Sequence, residues 1–426
     1  MVQPMQTTFA AKVFDRERLG QICDWLAVAL AVSLPWSTSA TGILAALWLV
    51  ILIPTLDFQS MRRALATPAG GLPVLLWVLG AIGMLWADVP LAERIDGLNS
   101  FHKLLVIPLM LVHFRRSERG PWVMGGFLLS CGVLLAVSWA LRLFPSLIAV
   151  NSYSPGVPVK DYIAQNAMFI VSIAIVIDLA FDAWRKARRG IALAWVVVAF
   201  AFLANILFVA TSRTSLIVIP FLLLLFGFKR FGWKGLAGLL AVVIIVMAVA
   251  WPFATQLQGR VSLIMQEVND FRAECKRTSA GERLTFWKKS FEIVAKAPVI
   301  GHGTGTIREQ FRRSASADDC ESMTSSANPH NQTFAVAIQL GLVGTIALYL
   351  MWIAHLSLFR GESLAAWVGM AIVVQNMVSS LFNSHLFDFT HGWGYVVGVG
   401  VAGGIMLRNA PQRTREAKPP NEEKPG

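Results

Sequence analysis

The sequence predicts an all-α polytopic membrane protein with about twelve transmembrane helices. Of its 426 residues, 55% are hydrophobic and 15% are charged, whereas a soluble domain carries about 25% charged residues. The mean hydropathy is +0.59. Apolar runs long enough to cross roughly 30 Å of hydrocarbon recur along the chain, at 20–35, 40–56, 71–87, 98–114, 122–145, 162–182, 190–211, 214–228, 233–254, 331–359, 362–382 and 391–408. This pattern excludes a soluble globular protein.

One long polar segment divides the apolar runs into two groups. We expect residues 1–254 to form transmembrane helices 1–9 and residues 331–408 to form helices 10–12. Residues 255–330 form a large extramembrane loop, in which 259–277 has the spacing of an amphipathic helix. A second helix begins at a capping box, Ser279 with Glu282. Residues 409–426 are rich in proline and charge, which predicts a disordered tail.

Basic residues predict the orientation of the chain. Short connections rich in Lys and Arg face the cytoplasm, and they alternate here with connections that carry only Arg94, Lys160 and Arg213. This places both termini in the cytoplasm and the polar loop on the opposite side. The net charge of +12 is then explained by cytoplasmic connections that face anionic membrane lipids, so nucleic acid is not an expected partner. The loop has its own excess of cations, which would attract an anionic ligand.

The four cysteines fall into two pairs. Cys23 and Cys131 lie in or at apolar runs and are expected to be small core residues. Cys275 and Cys320 lie in the polar loop, where they form either a disulfide or two free thiols. The sequence leaves both possibilities open, because it does not place their Cβ atoms at bonding distance.

Cations near the predicted extracytoplasmic side are the first candidates for a site. Arg213, in Thr211-Ser-Arg-Thr-Ser215, lies between two apolar runs, where a guanidinium is costly unless it reaches water or an anion. Simple snorkelling of the side chain to the interface is the alternative. Lys103 and Arg142 are weaker cases near the same side. Several cations that converge at one membrane face suit a pyrophosphate, so all three are candidate donor-binding residues.

Three features of the polar loop add candidates. His330 lies where the chain re-enters the membrane, as either a general base or an interfacial polar residue. Arg283 lies in the first turn of a predicted helix, where the helix dipole disfavours a cation. Its presence there against local preference marks it as a functional candidate. Gly301-His-Gly-Thr-Gly305 precedes another helix, and it is either a tight turn, the commoner explanation, or a phosphate cradle.

Three motifs resemble the O-antigen ligase and polymerase superfamily, and most closely its ligases. His330-Asn331, nine residues and then Gly341-Leu-Val-Gly344 match the ligase pattern of His, then Asn, Ser or Gln, nine residues and Gly-x-x-Gly. The segment at Arg213 resembles the superfamily's Arg-x-x-x-Leu motif, with Ile217 where Leu is usual. Residues 281–287 and 298–305 resemble its large periplasmic loop.

The resemblance implies a GT-C-like glycosyltransferase in the inner membrane of a Gram-negative bacterium, with its active site on the periplasmic side. The implied reaction transfers a polysaccharide from undecaprenyl pyrophosphate to a sugar hydroxyl of the lipid A core, without a cofactor or a metal. His330 would be the base, and Arg213 and Arg283 would bind the donor pyrophosphate and stabilise it as leaving group. Asn331 and Asp388 are candidates for orienting a base or binding the acceptor. A single displacement of this kind predicts inversion at the anomeric carbon.

Three other functions stay open at this point. An O-antigen polymerase would use a second lipid-linked glycan as acceptor, although the His-Asn-x9-Gly-x-x-Gly pattern favours the ligase. A protein O-oligosaccharyltransferase commonly carries a sizeable soluble region after the last span, whereas a short tail follows Arg408 here. A transporter of lipid-linked glycans is compatible with twelve spans, but the polar loop and the lack of an obvious repeat between the halves favour an enzyme.

Overall fold

A computed structural model of the chain describes residues 15–144, 156–250, 279–315 and 328–416. The predicted amphipathic helix at 259–277, the predicted pair Cys275 and Cys320, and residues 417–426 of the predicted tail lie outside the described residues. Cys23 and Cys131 are both fully buried, which confirms that they are core residues.

Regular structure in the described ranges is helical, as the sequence predicts. The α-helices are α1 (Arg16–Ser33), α2 (Thr38–Leu52), α3 (Phe58–Leu65), α4 (Pro68–Gly83), α5 (Leu91–His102), α6 (Val106–Arg116), α7 (Gly120–Leu143), α8 (Tyr162–Arg185), α9 (Arg189–Phe208), α10 (Arg213–Ala250), α11 (Ser279–Lys296), α12 (Ile307–Arg313), α13 (Gln332–Leu358), α14 (Leu364–Ser379) and α15 (Phe389–Glu416). Short 3-10 helices at Ile53–Thr55 and Lys103–Leu105 extend α2 and join α5 to α6.

The predicted apolar runs all overlap these helices, but fewer than twelve helices are long and apolar enough to cross a membrane. Within the described residues seven helices qualify, and the pair α3 and α4, bent by 83°, brings the number to eight. The helix α14 is short, with 16 residues, and α1 contains Asp24 and three further charged residues. A helical membrane protein is therefore confirmed, whereas the number of twelve crossings stays a prediction.

Two predicted boundaries can be compared directly with the helices. The break expected between the runs 214–228 and 233–254 lies at Gly232, where α10 has a φ of +64°. This left-handed conformation suits glycine because it has no Cβ.

At the carboxyl end, α15 continues to Glu416, past residue 409 where the sequence predicts a disordered tail. The disordered tail was predicted from its content of proline and charged residues. Several of the residues directly after 408 are nevertheless good helix formers.

The best-buried helices surround a core at the centre of the bundle. Helix α15 packs against α6 and α14, α14 packs against α8, and α13 packs against α4. Trp352, Trp367 and Tyr395 are among the largest fully buried side chains. The outer surface is apolar where α9 exposes Leu193, Val197 and Phe200, which lie on one helical face. Such a stripe fits a surface that contacts lipid rather than water.

Several connections meet at one end of the bundle, which we call the site face. It consists of residues 34–37, 84–90, 156–161, 209–212, 297–306, 328–331 and 380–388. Hydrogen bonds join connections that are distant in sequence: Trp86 Nε1–H to the Gly301 carbonyl (3.3 Å), Thr304 N–H to the Gly83 carbonyl (3.0 Å), Lys160 Nζ to the Leu34 carbonyl (2.5 Å) and Gln332 N–H to the Ser380 carbonyl (2.9 Å). These contacts bring the predicted site residues of separate helices to one surface.

Candidate functional site

His330 lies on the site face directly before α13, in a backbone conformation that residues other than glycine rarely adopt. Its φ is +52°, and such a conformation costs about 1–3 kcal/mol unless its surroundings hold it. The Asn328 side chain accepts a hydrogen bond from the His330 N–H (2.9 Å), and the Trp287 indole donates to the His330 carbonyl (3.4 Å). Strain of this kind concentrates at functional sites.

Asn331 begins α13 and fixes the position of its neighbour His330. Its side-chain oxygen accepts a hydrogen bond from the Phe334 N–H (3.2 Å), and its amide donates to the Leu381 carbonyl (3.2 Å). The side chain is buried. These contacts make Asn331 a positioning residue, and its predicted contact with an acceptor stays a prediction.

The surroundings of His330 favour the neutral imidazole. Its ring centroid lies 5.5 Å from that of Phe286. Burial lowers the pKa of His330, the Arg283 charge lowers it further, and a hydrogen bond with the Asn383 side chain acts in the opposite direction. A histidine with a lowered pKa is mostly unprotonated near neutral pH, so it is able to accept a proton.

The Gly-x-x-Gly motif marks a break in α13. At Gly341 the backbone has φ +61° and ψ −154°, and a Cβ there would lie 2.4 Å from the carbonyl atoms of Val299. Four backbone hydrogen bonds join α13 at this break to the segment that follows α11: Leu342 N–H to Pro298 (2.8 Å), Val343 N–H to Val299 (3.1 Å), His302 N–H to Ile338 (2.8 Å) and Gly303 N–H to Gln339 (2.9 Å). The glycine therefore fixes α11, which carries Arg283, relative to α13, which follows His330.

The glycine-rich segment 301–305 is a packed turn. Gly301, Gly303 and Gly305 have φ values of +69°, +96° and +89°. Thr304 N–H donates to the Gly83 carbonyl (3.0 Å), and Gly305 N–H donates to the Gln339 side chain (2.8 Å). Because each amide from 302 to 305 has an acceptor in the protein, the tight turn accounts for this segment better than a phosphate cradle.

Lys103 reaches the turn that precedes α15. Its ammonium donates to the carbonyls of Phe387 (2.8 Å) and Asp388 (2.7 Å), and the residue is only 8% exposed. The Gln332 side chain accepts hydrogen bonds from the Leu386 and Phe387 N–H groups of the same turn (3.0 and 3.3 Å). Lys103 thus stabilises the turn, and its predicted contact with the donor is not tested by these contacts.

Two histidines outside the predicted set of site residues lie beside Asp388. The rings of His385 and His391 stack with centroids 4.1 Å apart and planes at 22°. The Asp388 carboxylate accepts hydrogen bonds from the His391 N–H (2.9 Å) and from His391 Nδ1 (2.8 Å). His385 is 1% exposed. Asp388 therefore orients the His391 ring.

Burial and neighbouring charges shift the pKa values of His385 and Asp388. Burial lowers the pKa of His385 well below its ordinary value, and the charges of His391 and Arg283 add to this effect. Burial acts to raise the pKa of Asp388, but the hydrogen bonds and charges of His391, with that of His385, lower it overall. Asp388 is therefore ionised near neutral pH. Because Arg283 affects the pKa of both His330 and His385, its guanidinium lies within electrostatic range of both rings.

A polar cavity opens on the site face; its volume is about 900 Å³ when the open space at its mouth is included. It is lined by three acidic residues, Glu93, Asp96 and Asp388, and by Arg308, Asn328 and Asn383. The Asn328 amide donates to the Asn383 side chain (2.7 Å), and both residues also contact His330. The cavity and His330 therefore share a wall.

An apolar groove lies between α1, α7, α8, α14 and α15; it encloses about 720 Å³, which includes the open space at its mouth. Its polar end is formed by Gln375, Asn376, Ser379 and His391. A smaller space of about 220 Å³, the histidine cavity, shares Gln375, Ser379 and His391 with the groove and is also lined by His385, Thr214 and Ser215. The two spaces meet at His391.

Arg213 and Arg142 lie at helix ends. Arg213 is the exposed first residue of α10, and the residues that follow it, Thr214 and Ser215, line the histidine cavity. Ser212 caps the helix by accepting a hydrogen bond from the Ser215 N–H (3.1 Å). Arg142 is exposed in the last turn of α7. Donor binding by either residue stays a prediction, and the geometry favours Arg213 because its helix begins beside the two histidines.

Residues 198–349 match a family model described as O-antigen ligase. The match supports membership of the O-antigen ligase/polymerase superfamily. Members of this superfamily are glycosyltransferase-like enzymes, which supports an enzymatic role for the chain and suggests a lipid-linked glycan as substrate. The matched range includes Arg213, Arg283 and His330, whereas Asp388 and His391 follow it. No curated protein matches the chain.

Two features of this site had weak signals or none in the sequence. His385 and His391 flank Asp388 in the short connection before α15, and three titratable groups so close to an apolar helix are a signal of function. The polar cavity has no linear signal, since Glu93, Arg308, Asn328 and Asn383 belong to four separate parts of the chain.

Proposed function

We propose that this protein is an O-antigen ligase, which transfers a polysaccharide from undecaprenyl pyrophosphate to a sugar hydroxyl of the lipid A core. The observation that carries this proposal is the position of His330 at the wall of the polar cavity. Burial lowers the pKa of His330, and the Arg283 charge lowers it further. Pyrophosphate is a good leaving group when cations neutralise it. One base and a cationic clamp are therefore sufficient for the reaction.

In the proposed mechanism, the His330 imidazole removes the proton from the acceptor hydroxyl as its oxygen attacks the anomeric carbon. The new C–O bond forms as the bond from that carbon to the pyrophosphate oxygen breaks. The leaving pyrophosphate takes the electron pair, and Arg283 and Arg213 stabilise its charge. The His330 imidazolium then releases its proton to water. One displacement of this kind inverts the anomeric configuration.

The membrane context follows from the same proposal. The site face is periplasmic, both termini are cytoplasmic, and the protein lies in the inner membrane of a Gram-negative bacterium. Residues 255–330 form the extramembrane region between transmembrane helices 1–9 and 10–12. Alternating connections rich in Lys and Arg support this orientation. So does the position of Arg283 and His330 on a segment between two groups of apolar helices.

The polar cavity supplies the acceptor side of the reaction. Glu93, Asp96 and Ser100 lie on one face of α5 and line it, and carboxylates accept hydrogen bonds from sugar hydroxyls. Gly97, on the same face, packs so closely that a Cβ would lie 2.5 Å from Gly305. The helix is therefore fixed against the turn 301–305.

Removing the two cavity carboxylates should weaken acceptor binding. Hydrogen bonds to charged groups contribute about 1.5–3 kcal/mol, so Glu93→Gln with Asp96→Asn should raise the KM for core lipid by about tenfold or more, with the KM for the donor unchanged. Asp88→Asn is the matched control, because Asp88 is an exposed carboxylate of the site face paired with Arg313 and does not line the cavity. Equal KM values for the acceptor in all three proteins would exclude this cavity as the acceptor site.

Removing the Arg283 charge should change the pH dependence of transfer. That charge lowers the pKa of His330, so in Arg283→Gln the pKa rises and the neutral base forms only at higher pH. The acidic limb of the kcat/KM profile should then move to higher pH, whereas Arg283→Lys should leave it in place. Profiles of the three proteins check this. An unmoved limb in Arg283→Gln would show that His330 is not the titrating base.

Reconstitution with separate acceptors tests the function itself. The purified protein is given a lipid-linked glycan together with core lipid, a second lipid-linked glycan, or protein substrate. The ligase proposal predicts glycosylated core lipid as the main product. A longer lipid-linked glycan would identify a polymerase, and a glycoprotein would identify a protein O-oligosaccharyltransferase.

A further inference from the structure

His391 lies where the apolar groove meets the histidine cavity. It lines both spaces, its Nδ1 donates to Asp388 at 2.8 Å, and its ring stacks on His385 at 4.1 Å. The mechanism above uses neither histidine. A carboxylate that fixes one nitrogen of a histidine leaves the other to contact a ligand.

Several buried polar atoms at this junction have no partner within the described residues. They are the Nε2 of His391, the Oε1 of Gln375 and the Oδ1 of Asn376. Gln375 and Asn376 are 8% and 5% exposed. An unsatisfied buried polar group costs about 1–3 kcal/mol, so several together indicate that a polar ligand group or water belongs among them.

The groove beyond this junction is almost entirely apolar. Its lining includes Val123, Phe127, Met168, Val171, Ile175 and Ile372. A long hydrocarbon chain would bury apolar surface there, whereas a water-filled groove would not. The shape and chemistry together therefore fit an amphiphile, with its hydrocarbon in the groove and its polar head against His391.

We propose that the groove seats the isoprenoid chain of the donor and that His391 donates a hydrogen bond from Nε2 to the phosphate nearest that chain. The inference rests on the proposed function, because a lipid-linked donor supplies both the hydrocarbon and the phosphate. It assigns His391 as a donor-binding residue, with Asp388 and His385 as positioning residues.

The charges at the junction are consistent with this assignment. With a proton on each ring nitrogen of His391, Nδ1 donates to Asp388 and Nε2 donates to the phosphate. The Arg283 charge reaches His385, so the second phosphate, which bears the glycan, would extend towards Arg283 and His330. The first turn of α10, which begins at Arg213, also lines the histidine cavity through Thr214 and Ser215.

The test is a binding experiment that needs no acceptor and no turnover. Purified protein in lipid nanodiscs is titrated with undecaprenyl pyrophosphate, with undecaprenol, which lacks the phosphates, and with inorganic pyrophosphate, which lacks the chain. We expect the wild type to bind undecaprenyl pyrophosphate more tightly than either partial ligand. His391→Ala should weaken binding of undecaprenyl pyrophosphate by about tenfold or more, the loss of one hydrogen bond to a charged group, and should leave undecaprenol binding unchanged.

Three further variants make the experiment specific. His391→Gln retains a donor and should recover part of the affinity. Met124→Trp, which places a larger side chain in the groove wall, should weaken binding of both undecaprenyl ligands. His102→Ala alters an exposed histidine that contacts Trp77 outside both spaces and should behave as the wild type. Gel filtration and thermal unfolding establish that each variant is folded.

Unchanged affinity of folded His391→Ala for undecaprenyl pyrophosphate would overturn the inference, and so would equal affinity of the wild type for undecaprenol. The result is separable from the proposed function. If the wild type glycosylates core lipid and His391→Ala binds undecaprenyl pyrophosphate as tightly as the wild type does, the inference fails and the ligase proposal stands. If binding depends on His391 but no acceptor is glycosylated, the lipid site stands and the ligase proposal fails.

Discussion

Replacing His330 should cause the largest loss of activity of any single substitution in the site. A general base contributes about 10²–10⁴-fold to a reaction rate, and the proposed mechanism has no second base in contact with the acceptor. We therefore expect His330→Ala to lower kcat for transfer by that factor, measured as glycosylated core lipid formed by reconstituted protein.

The backbone strain at His330 calls for a second variant. Asparagine tolerates a positive φ better than alanine does, so His330→Asn should keep the conformation at φ +52° while removing the base. Both variants should be inactive and folded, and His102→Ala should retain wild-type activity. Transfer within about threefold of wild type in His330→Asn would rule out this residue as the base, since the smallest contribution expected of one is about 10²-fold.

Gly341→Ala should cause the largest loss of stability. A left-handed φ alone costs a non-glycine residue roughly 1–2 kcal/mol. The added Cβ would also lie 2.4 Å from the Val299 carbonyl atoms and 2.6 Å from the Gly301 nitrogen. Both neighbours are backbone atoms: the Val299 carbonyl accepts a hydrogen bond from the Val343 N–H of α13, and the Gly301 N–H donates to the Ala297 carbonyl. They cannot move without separating the segment 298–303 from the helix. We expect a lowered temperature of unfolding and reduced transfer even in the folded fraction.

Gly132→Ala is the matched control for this prediction. Gly132 is a helical glycine of α7 with nothing within 4 Å of an added Cβ, and alanine is favoured over glycine in a helix by about 1 kcal/mol. This variant should be as stable as the wild type or more so. Equal unfolding temperatures for the two variants would show that the break in α13 does not depend on glycine.

Charged groups of both signs lie near His330. Arg283 lies within electrostatic range of His330 and His385. The polar cavity, which shares a wall with His330, is lined by Glu93 and Asp96 and also by Arg308. In the proposed mechanism the donor pyrophosphate contacts Arg283, and the acceptor sugar occupies the polar cavity.

The helical membrane class could be predicted from the sequence because each apolar run is a contiguous stretch of residues long enough to span the hydrocarbon layer. The break at Gly232 was predicted for the same reason, since polar residues and glycine interrupt the apolar run there. The number of crossings, in contrast, depends on more than local hydropathy. Short or charged helices such as α14 and α1 fall below the length and hydropathy of a clear span, and their role depends on how the bundle packs.

Part of the site could be predicted because its motif is linear. His330, Asn331 and Gly341 are close in sequence, and the structure shows physical reasons for two of the spacings: Asn331 caps α13, and Gly341 admits the segment 298–303. The roles of Lys103 and Asp388 were harder to predict. A buried cation is recognisable as costly, but only the fold shows that its partners are the carbonyls of residues 387 and 388.

The central claim is a single displacement in which His330 activates the acceptor against a leaving pyrophosphate. The most direct measurement is the anomeric configuration of the new linkage, determined by NMR on core lipid glycosylated by the reconstituted protein, relative to that of the donor. The account predicts the inverted configuration. Retention would require a covalent glycosyl-enzyme intermediate or an equivalent second displacement, and it would contradict the mechanism proposed for His330.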